Sequence, residues 1–341
     1  MKKSKVLIIY TGGTIGMVQD VDSGSLKPFS FSSIAKQIPE LKKFNCSIKA
    51  VSFKEPIDSS NMNPSHWVEM ASVIEKNYAK YDGFVILHGS DTMAYSASAL
   101  SFVFENLAKS IILTGSQLPV GEIRTDAKEN LITAVEIAAS KHKEKSIVPE
   151  VCIYFDYQLF RGNRAVKFSS TKFEAFQSFN FPILAEAGVN ITYNTDDILK
   201  PPKKKLVVHK KFCNEIAIIH FFPGITSDYV SNILQNQRLK AVILKTFGAG
   251  NAPKIDWLAK EVKNAVKEGK IVFNVSQCER GEITQGKYET SKWLKDAGVI
   301  AGKDITTEAA ITKLMYLMAG GYSNTKVKKL LMSNLRGEMS P

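Results

Sequence analysis

Short, continuous apolar runs recur along the first half of the chain, each closed by a turn rich in Gly, Ser, Thr or Asp. They cover residues 5–10, 83–87, 110–114 and 151–155 (KVLIIY, GFVIL, SIILT and VCIYF). Runs of this length and composition read as strands buried on both faces. Residues 51–53 suggest another strand, leading into a polar loop over 56–64. Between these strands the apolar positions change period. Trp67, Met70, Ala71, Ile74 and Tyr78 repeat at helical spacing, predicting a helix over 67–78, and similar segments predict helices over about 94–108 and 126–140. Strand, polar loop and helix in repetition predict an α/β fold with a largely parallel sheet. In such sheets the reactive side chains lie on loops at the carboxyl ends of the strands. The segments TGGT (11–14), HGSDT (88–92) and TGSQ (114–117) all fall there.

The alternation breaks at residues 190–211, a polar stretch with Pro201-Pro202 and a lysine run. A second βα series follows. Its strands are expected at 216–222, 241–244 and 270–275, and its helices near 226–235, 256–268, 307–318 and 325–333. The organisation predicted is a catalytic α/β domain over 1–190, a linker over 191–211 and a second α/β domain over 212–341. No internal repeat of 20–50 residues is present.

Composition narrows the function classes. The chain has 341 residues, 44% hydrophobic and 23% charged, the profile of an ordinary globular protein rather than a disordered one. The net charge of +12 raises the question of nucleic acid. The basic clusters are lysine-dominated (Lys203 to Lys205, Lys210-Lys211, Lys141 to Lys145, Lys326 to Lys329) and carry no interleaved aromatics or arginines, so they read as solvated faces. No nucleic-acid partner is expected, and no membrane partner, since no apolar run approaches 18 residues. The basic start precedes only five apolar residues and no cleavage site, so a cytoplasmic location is expected. Cys46, Cys152, Cys213 and Cys278 are scattered without CxxC or zinc spacing, which predicts reduced thiols and no metal. Cys278 reads as a packed thiol.

The strand-end loops carry the candidate chemistry. TGGTIG (11–16) lacks both GxGxxG and a Walker lysine, arguing against dinucleotides and nucleoside triphosphates. Its paired glycines allow close approach of backbone to a ligand, and the hydroxyl of Thr14 just beyond them is a candidate nucleophile. The bland reading is a structural turn. HGSDT sets Ser90, Asp91 and Thr92 in succession after a buried strand. Either a helix cap or a site accounts for them, and Asp91 needs a partner if buried, for which Lys167 in RGNRAVK (161–167) is one of many lysines. His88 tempts a Ser-His-Asp reading, but no GxSxG elbow exists.

Taken together, TGGTIGM (11–17), DSSNM (58–62), YDGFVILHGSDTMAYSASALSF (81–102), LTGSQLP (113–119), RGNRAVK, FGAGNAP (247–253) and LRGEM (335–339) resemble the cytoplasmic bacterial-type L-asparaginases over essentially the whole chain. The resemblance implies a larger N-terminal α/β domain with a smaller flavodoxin-like one, assembled as homodimers, often paired into tetramers. It implies hydrolysis of L-asparagine to L-aspartate and ammonia, with some glutaminase activity and without metal or organic cofactor. By motif match Thr14 is the nucleophile, and Ser90, Asp91 and Lys167 form a proton relay. Ser59 and Asp91 hold the substrate's α-carboxylate and α-ammonium, and backbone groups near Ser90 and Ser116 face the amide. Gly13, Asp58, Ser60 and Gly89 complete the substrate-binding set, with Asn251 reaching the site of a neighbouring subunit.

Two departures from the family pattern stand out. Ser90 occupies a position that is commonly Thr, so the hydroxyl is kept without its rotamer-fixing methyl. The loop Gly24-Ser25-Leu26-Lys27-Pro28 contains no tyrosine to orient the nucleophile. Val166 precedes Lys167 where a hydroxyl residue can occur, which predicts hyperbolic kinetics without a second asparagine site. Alternative readings on the same fold are an ammonia-supplying amidase subunit for glutaminyl-tRNA synthesis and an amino-acid sensor with impaired catalysis. Retention of Thr14, Ser90, Asp91 and Lys167 argues against the sensor.

Overall fold

In a computed structural model, which describes residues 3–19, 26–28, 36–286 and 289–341, the first apolar run is β1 (Ser4–Gly12), buried over its last seven residues. It is buried because parallel strands flank it on both sides, β2 (Cys46–Ile57) and β3 (Gly83–Leu87). Two further parallel strands, β4 (Ser110–Thr114) and β5 (Val151–Phe155), continue from β3. Beyond β5 the direction reverses through β6 (Gln158–Arg161), β7 (Ala185–Ala187) and β8 (Ile191–Tyr193). The order across the eight strands is β8-β7-β6-β5-β4-β3-β1-β2. The sheet is therefore mostly parallel, as the alternation predicts, with an antiparallel extension that the pattern does not reveal.

The crossovers are α1 (Pro64–Asn77), α2 (Met93–Val103) and α3 (Ala127–Ala139). On one face of the sheet, Val6, Ile8, Val85, Leu87 and Ile112 pack with Leu131, Ala134, Val135 and Ala138 of α3. The alternate residues Leu7, Ile9, Phe84 and Ile86 are equally buried and point to the other face. There Tyr78, at the end of α1, stacks on Phe84 with ring centroids 6.1 Å apart. Each such aliphatic or aromatic side chain contributes about 1.5–3 kcal/mol on burial. Helix α1 starts three residues before the apolar stripe because Asn63 caps it reciprocally with His66 and Pro64 occupies the first turn. Helix α2 stops at Val103, short of residue 108, because Phe104–Glu105 turns extended and pairs with Val207–Val208.

The chain folds as two units, Met1–Lys210 and Lys211–Pro341. The first takes in most of the polar stretch read from sequence as a linker, since Ile191–Tyr193 and Val207–Val208 both pair as strands. In the second unit, β9 (Ile216–His220), β10 (Ala241–Thr246), β11 (Ile271–Ser276) and β12 (Ile300–Ala301) form an all-parallel sheet in that order. Helices α4 (Ser227–Leu234), α5 (Asp256–Lys267), α6 (Glu289–Asp296), α7 (Thr307–Ala319) and α8 (Asn324–Leu331) accompany it. The core joins Val230, Leu258 and Val262 to Val242 and Leu244.

At the chain's end, Lys313 of α7 is fully buried. Its Nζ donates to the carbonyls of Leu331 (3.0 Å) and Ser333 (2.6 Å) and pairs with Glu338 at 2.6 Å. Glu338 in turn accepts the N–H groups of Leu335 and Arg336. LRGEM is thus a pinned terminal turn. Among the described residues no helix is long and apolar enough to cross a membrane, and no group of His, Cys, Asp or Glu side chains is placed to hold a metal ion. Cys46, Cys152 and Cys213 are buried and unbridged, whereas Cys278 is exposed rather than packed, because it follows β11 in a surface turn.

Candidate active site

Four loops at the carboxyl ends of β1, β2, β3 and β4 converge. The first turns sharply at Gly13, whose φ of 87° only glycine adopts without strain. A Cβ on Gly13 would overlap the backbone of Gly89, and one on Gly89 would overlap the hydroxyl of Ser59. The loops after β1, β2 and β3 therefore interlock without side chains between them. They open onto a cleft of about 400 Å³ lined by Gly13, Thr14, Asp58, Ser59, Gly89, Ser90, Asp91 and Lys167, together with Met17, Gln117 and Ser170. A cleft of this size suits a small ligand.

Thr14 opens the one-turn helix Thr14–Gly16 and is half-buried at the cleft wall. Asp58 caps the next turn, Ser59–Asn61, its Oδ1 accepting both the N–H and the hydroxyl of Ser60 at 2.9 Å. Ser60 is exposed and outside the cleft lining; its hydroxyl is used in holding Asp58. Ser59 is buried, and its carbonyl accepts the Thr92 hydroxyl at 2.7 Å, tying the loop after β2 to that after β3.

The capping explanation of HGSDT does not hold. Neither the turn Ser90–Thr92 nor α2 behind it has a side-chain cap. The Ser90 hydroxyl and the Asp91 carboxylate instead meet one lysine, with Lys167 Nζ 2.9 Å from Ser90 Oγ and 2.6 Å from Asp91 Oδ1. Lys167 is delivered by a two-stranded ribbon, Val166–Lys167 against Phe176–Gln177. Of the many lysines, it alone makes this contact among the described residues.

His88 is sealed behind the loop and is not a base for it. Its Nδ1 lies 2.7 Å from the Gly89 carbonyl, which can only accept, so Nδ1 carries the proton. Its Nε2 lies 2.8 Å from Ser96 Oγ, which also receives the Trp67 indole N–H at 2.9 Å. Complete burial holds the imidazole neutral, its pKa pushed down to about 4.

The loop after β4 divides its side chains between turn and cleft. Ser116 is buried and absent from the cleft lining, because its hydroxyl donates to the Leu118 carbonyl at 2.5 Å within the same turn. The next residue, Gln117, reaches the cleft. Asp126 anchors this turn, its carboxylate accepting the N–H groups of Gln117 and Leu118 and the Asn130 amide; burial nonetheless pushes its pKa up. TGSQ marks the loop in the linear sequence but not which of its side chains faces the cleft, and Asp126 carries no signal beyond proximity to it. Asn251 lies in the second unit, closing a tight loop against Phe247 and accepting the Thr290 hydroxyl at 2.9 Å. Of the tyrosine-less segment, residues 24 and 25 lie outside the described residues. In RGNR, Arg161 is buried on Glu150 at 2.6 Å, and Arg164 lies over Phe181.

Residues 5–199 match the family model "Asparaginase, N-terminal", and residues 215–331 match "Glutaminase/Asparaginase C-terminal domain". The chain belongs to the asparaginase family. It is 40% identical to L-asparaginase 1 of Escherichia coli, covering 100% of this chain and 99% of that protein. The crystal structure of L-asparaginase I from Vibrio cholerae superposes with a TM-score of 0.90 at 40% identity, covering all of both chains. A 60 kDa lysophospholipase of Mus musculus is 38% identical over 98% of this chain and 62% of its own length. The asparaginase fold accounts for both units, the larger mostly parallel one and the smaller α/β one.

Proposed function

We propose that the protein hydrolyses L-asparagine to L-aspartate and ammonia through an acyl-enzyme on Thr14. The observation that carries this reading is the cleft that Thr14 lines together with a lysine held on Ser90 and Asp91, in a chain of the asparaginase family. The Thr14 hydroxyl oxygen attacks the side-chain amide carbon of asparagine, and its proton passes to the departing nitrogen, which leaves as ammonia. Water then attacks the ester, and Thr14 recovers its proton as aspartate is released. Ser90 and Lys167 move these protons, and Asp91 keeps the ammonium of Lys167 in place. The first N–H groups of the Ser90–Thr92 turn have no acceptor within their own helix and are available to the developing oxyanion. Asp58, Ser59 and Asp91 hold the α-carboxylate and α-ammonium of the substrate, Asp58 and Asp91 taking the cation, with Gly13 and Gly89 letting the backbone close on it.

Family membership supports a cytoplasmic homodimer or homotetramer, in which Asn251 of a second copy completes the cleft. Ammonia release from L-asparagine, L-glutamine and D-asparagine tests the activity. Rapid release from L-asparagine is expected, and binding without release would identify a sensor instead. Light scattering on Asn251→Ala and wild type tests the assembly, and a fully active monomer would remove it.

A further inference from the structure

We propose that Gln117 is a positioning residue that selects the side-chain conformer of Ser90 facing Lys167. The inference rests on the reading of Ser90 and Lys167 as the proton relay.

An ammonium donates and cannot accept, so at 2.9 Å the Ser90 oxygen is the acceptor of the Lys167 proton. The hydroxyl hydrogen of Ser90 must therefore point elsewhere. The acceptor the structure provides is Gln117 Oε1, at 3.4 Å. That amide has one orientation: its Nε2 donates to the Lys172 carbonyl at 3.0 Å, which leaves the oxygen turned to Ser90. Its main chain is equally fixed, the Gln117 N–H lying 3.0 and 3.1 Å from the two oxygens of the buried Asp126 carboxylate. Gln117 is thus held at both ends.

The need for such a partner follows from the residue type. A serine side chain has three staggered wells, whereas a γ-methyl restricts χ1 and packs against its surroundings. Ser90 lacks that methyl, and a free rotor would leave the Lys167 contact intermittently. Gln117 supplies an orienting contact in its place. The contact is long, so the hydroxyl can exchange it for a reacting atom when substrate fills the cleft.

The test is a double-mutant cycle on the full-length enzyme, with kcat and KM for L-asparagine measured for Gln117→Met in the wild-type and Ser90→Thr backgrounds, and for Lys167→Met alone. Loss of one orienting hydrogen bond should lower kcat roughly 5–10-fold in the wild-type background, with KM changed less than about 2-fold. In the Ser90→Thr background the same change should cost less than about 2-fold, because the methyl takes over the orientation. Equal losses in both backgrounds would show that Gln117 only tethers the Lys172 segment, and overturn the proposal. Unchanged kcat in Gln117→Met overturns it as well. Lys167→Met separates the two levels: full activity there removes the relay reading itself, whereas collapse there beside an active Gln117→Met removes the inference about Gln117 alone. A crystal structure of Gln117→Met gives a readout independent of turnover. Ser90 Oγ distributed over more than one rotamer is expected, and a single unchanged rotamer would contradict the proposal.

Discussion

Two lysines of this protein each hold a carboxylate at 2.6 Å, Lys167 with Asp91 and Lys313 with Glu338. Their surroundings differ completely. Lys313 and Glu338 are both 0% exposed, and two main-chain carbonyls and two N–H groups complete their hydrogen bonding. Burial pushes the Lys313 ammonium down in pKa while Glu338 opposes it. In the other pair the Asp91 side chain is 64% exposed, and the third partner is a hydroxyl rather than a carbonyl. A pair saturated by main chain can only hold the chain together. A pair that keeps an exposed carboxylate and a proton-bearing hydroxyl in a cleft has capacity left for a ligand. The distance is the same in both, so what separates fastening from chemistry is the unused hydrogen-bonding capacity around the pair.

Substitutions can break this contrast, and the largest effect sets its scale. Thr14→Ala should lower kcat by roughly 10⁵ or more without loss of fold, as removal of a covalent nucleophile does. A variant keeping a tenth of the wild-type kcat in an ammonia assay would show that the cleft's chemistry is elsewhere. Lys167→Met should lower kcat roughly 10²–10⁴-fold, with a nearly unchanged Tm and aspartate affinity. A lowered Tm with kcat preserved would place Lys167 in the same class as Lys313. For Lys313→Met the expectation is reversed. Glu338 would be left buried and unpaired at a cost of about 3–5 kcal/mol, read by denaturant unfolding, while kcat per folded molecule stays near wild type. Adding Glu338→Gln, which removes the charge but keeps an acceptor for the Leu335 and Arg336 N–H groups, should return part of that stability.

His88 sharpens the contrast, since it adjoins Ser90 and Asp91 in sequence yet is sealed like Lys313. Its pKa of about 4 when folded lies below the ordinary value near 6.5 of the unfolded chain. The unfolded state therefore binds more protons between these values. Its contribution to stability is complete above pH 6.5 and is lost as pH falls toward 4. Between pH 7.5 and 5 the loss is about 2 kcal/mol. His88→Asn should flatten this part of the stability–pH curve, and an unflattened curve would mean the imidazole is already protonated in the fold. The smallest expected effect concerns kinetics. With Arg161, Asn163 and Arg164 buried and Val166 unable to hydrogen-bond a ligand through its side chain, asparagine saturation should be hyperbolic. A Hill coefficient clearly above one would reveal a second site.

The parallel half of the large sheet was legible because strands buried on both faces are written as uninterrupted apolar runs. Residues 83–87 and 110–114 gave strand bounds that coincide with the observed ones. The loops TGGT and HGSDT were legible as strand ends for the same reason. The antiparallel extension was not, because β6, β7 and β8 have three or four residues each and mix polar with apolar side chains. At the site, spacing alone singled out Ser90 and Asp91 but could not choose a capping or a catalytic role. Lys167 was one lysine among many until motif resemblance selected it, since its contact with Asp91 spans 76 positions. TGSQ marked the loop but not which of its side chains faces the cleft, since the contact of Gln117 with Ser90 spans 27 positions, and Asp126 escaped notice because its importance lies in the main-chain N–H groups it meets.

The interlock of Gly13, Gly89 and Ser59 has a kinetic corollary. The loops that touch there are separated by 30 or more positions along the chain, and they meet only once β1, β2 and β3 lie in register. Parallel pairing over such separations is slow compared with helix formation. The cleft is accordingly expected to be completed only when these parallel strands are paired. On refolding from denaturant, recovery of ammonia release should trail the return of helical circular dichroism, which makes turnover a clock for completion of the sheet.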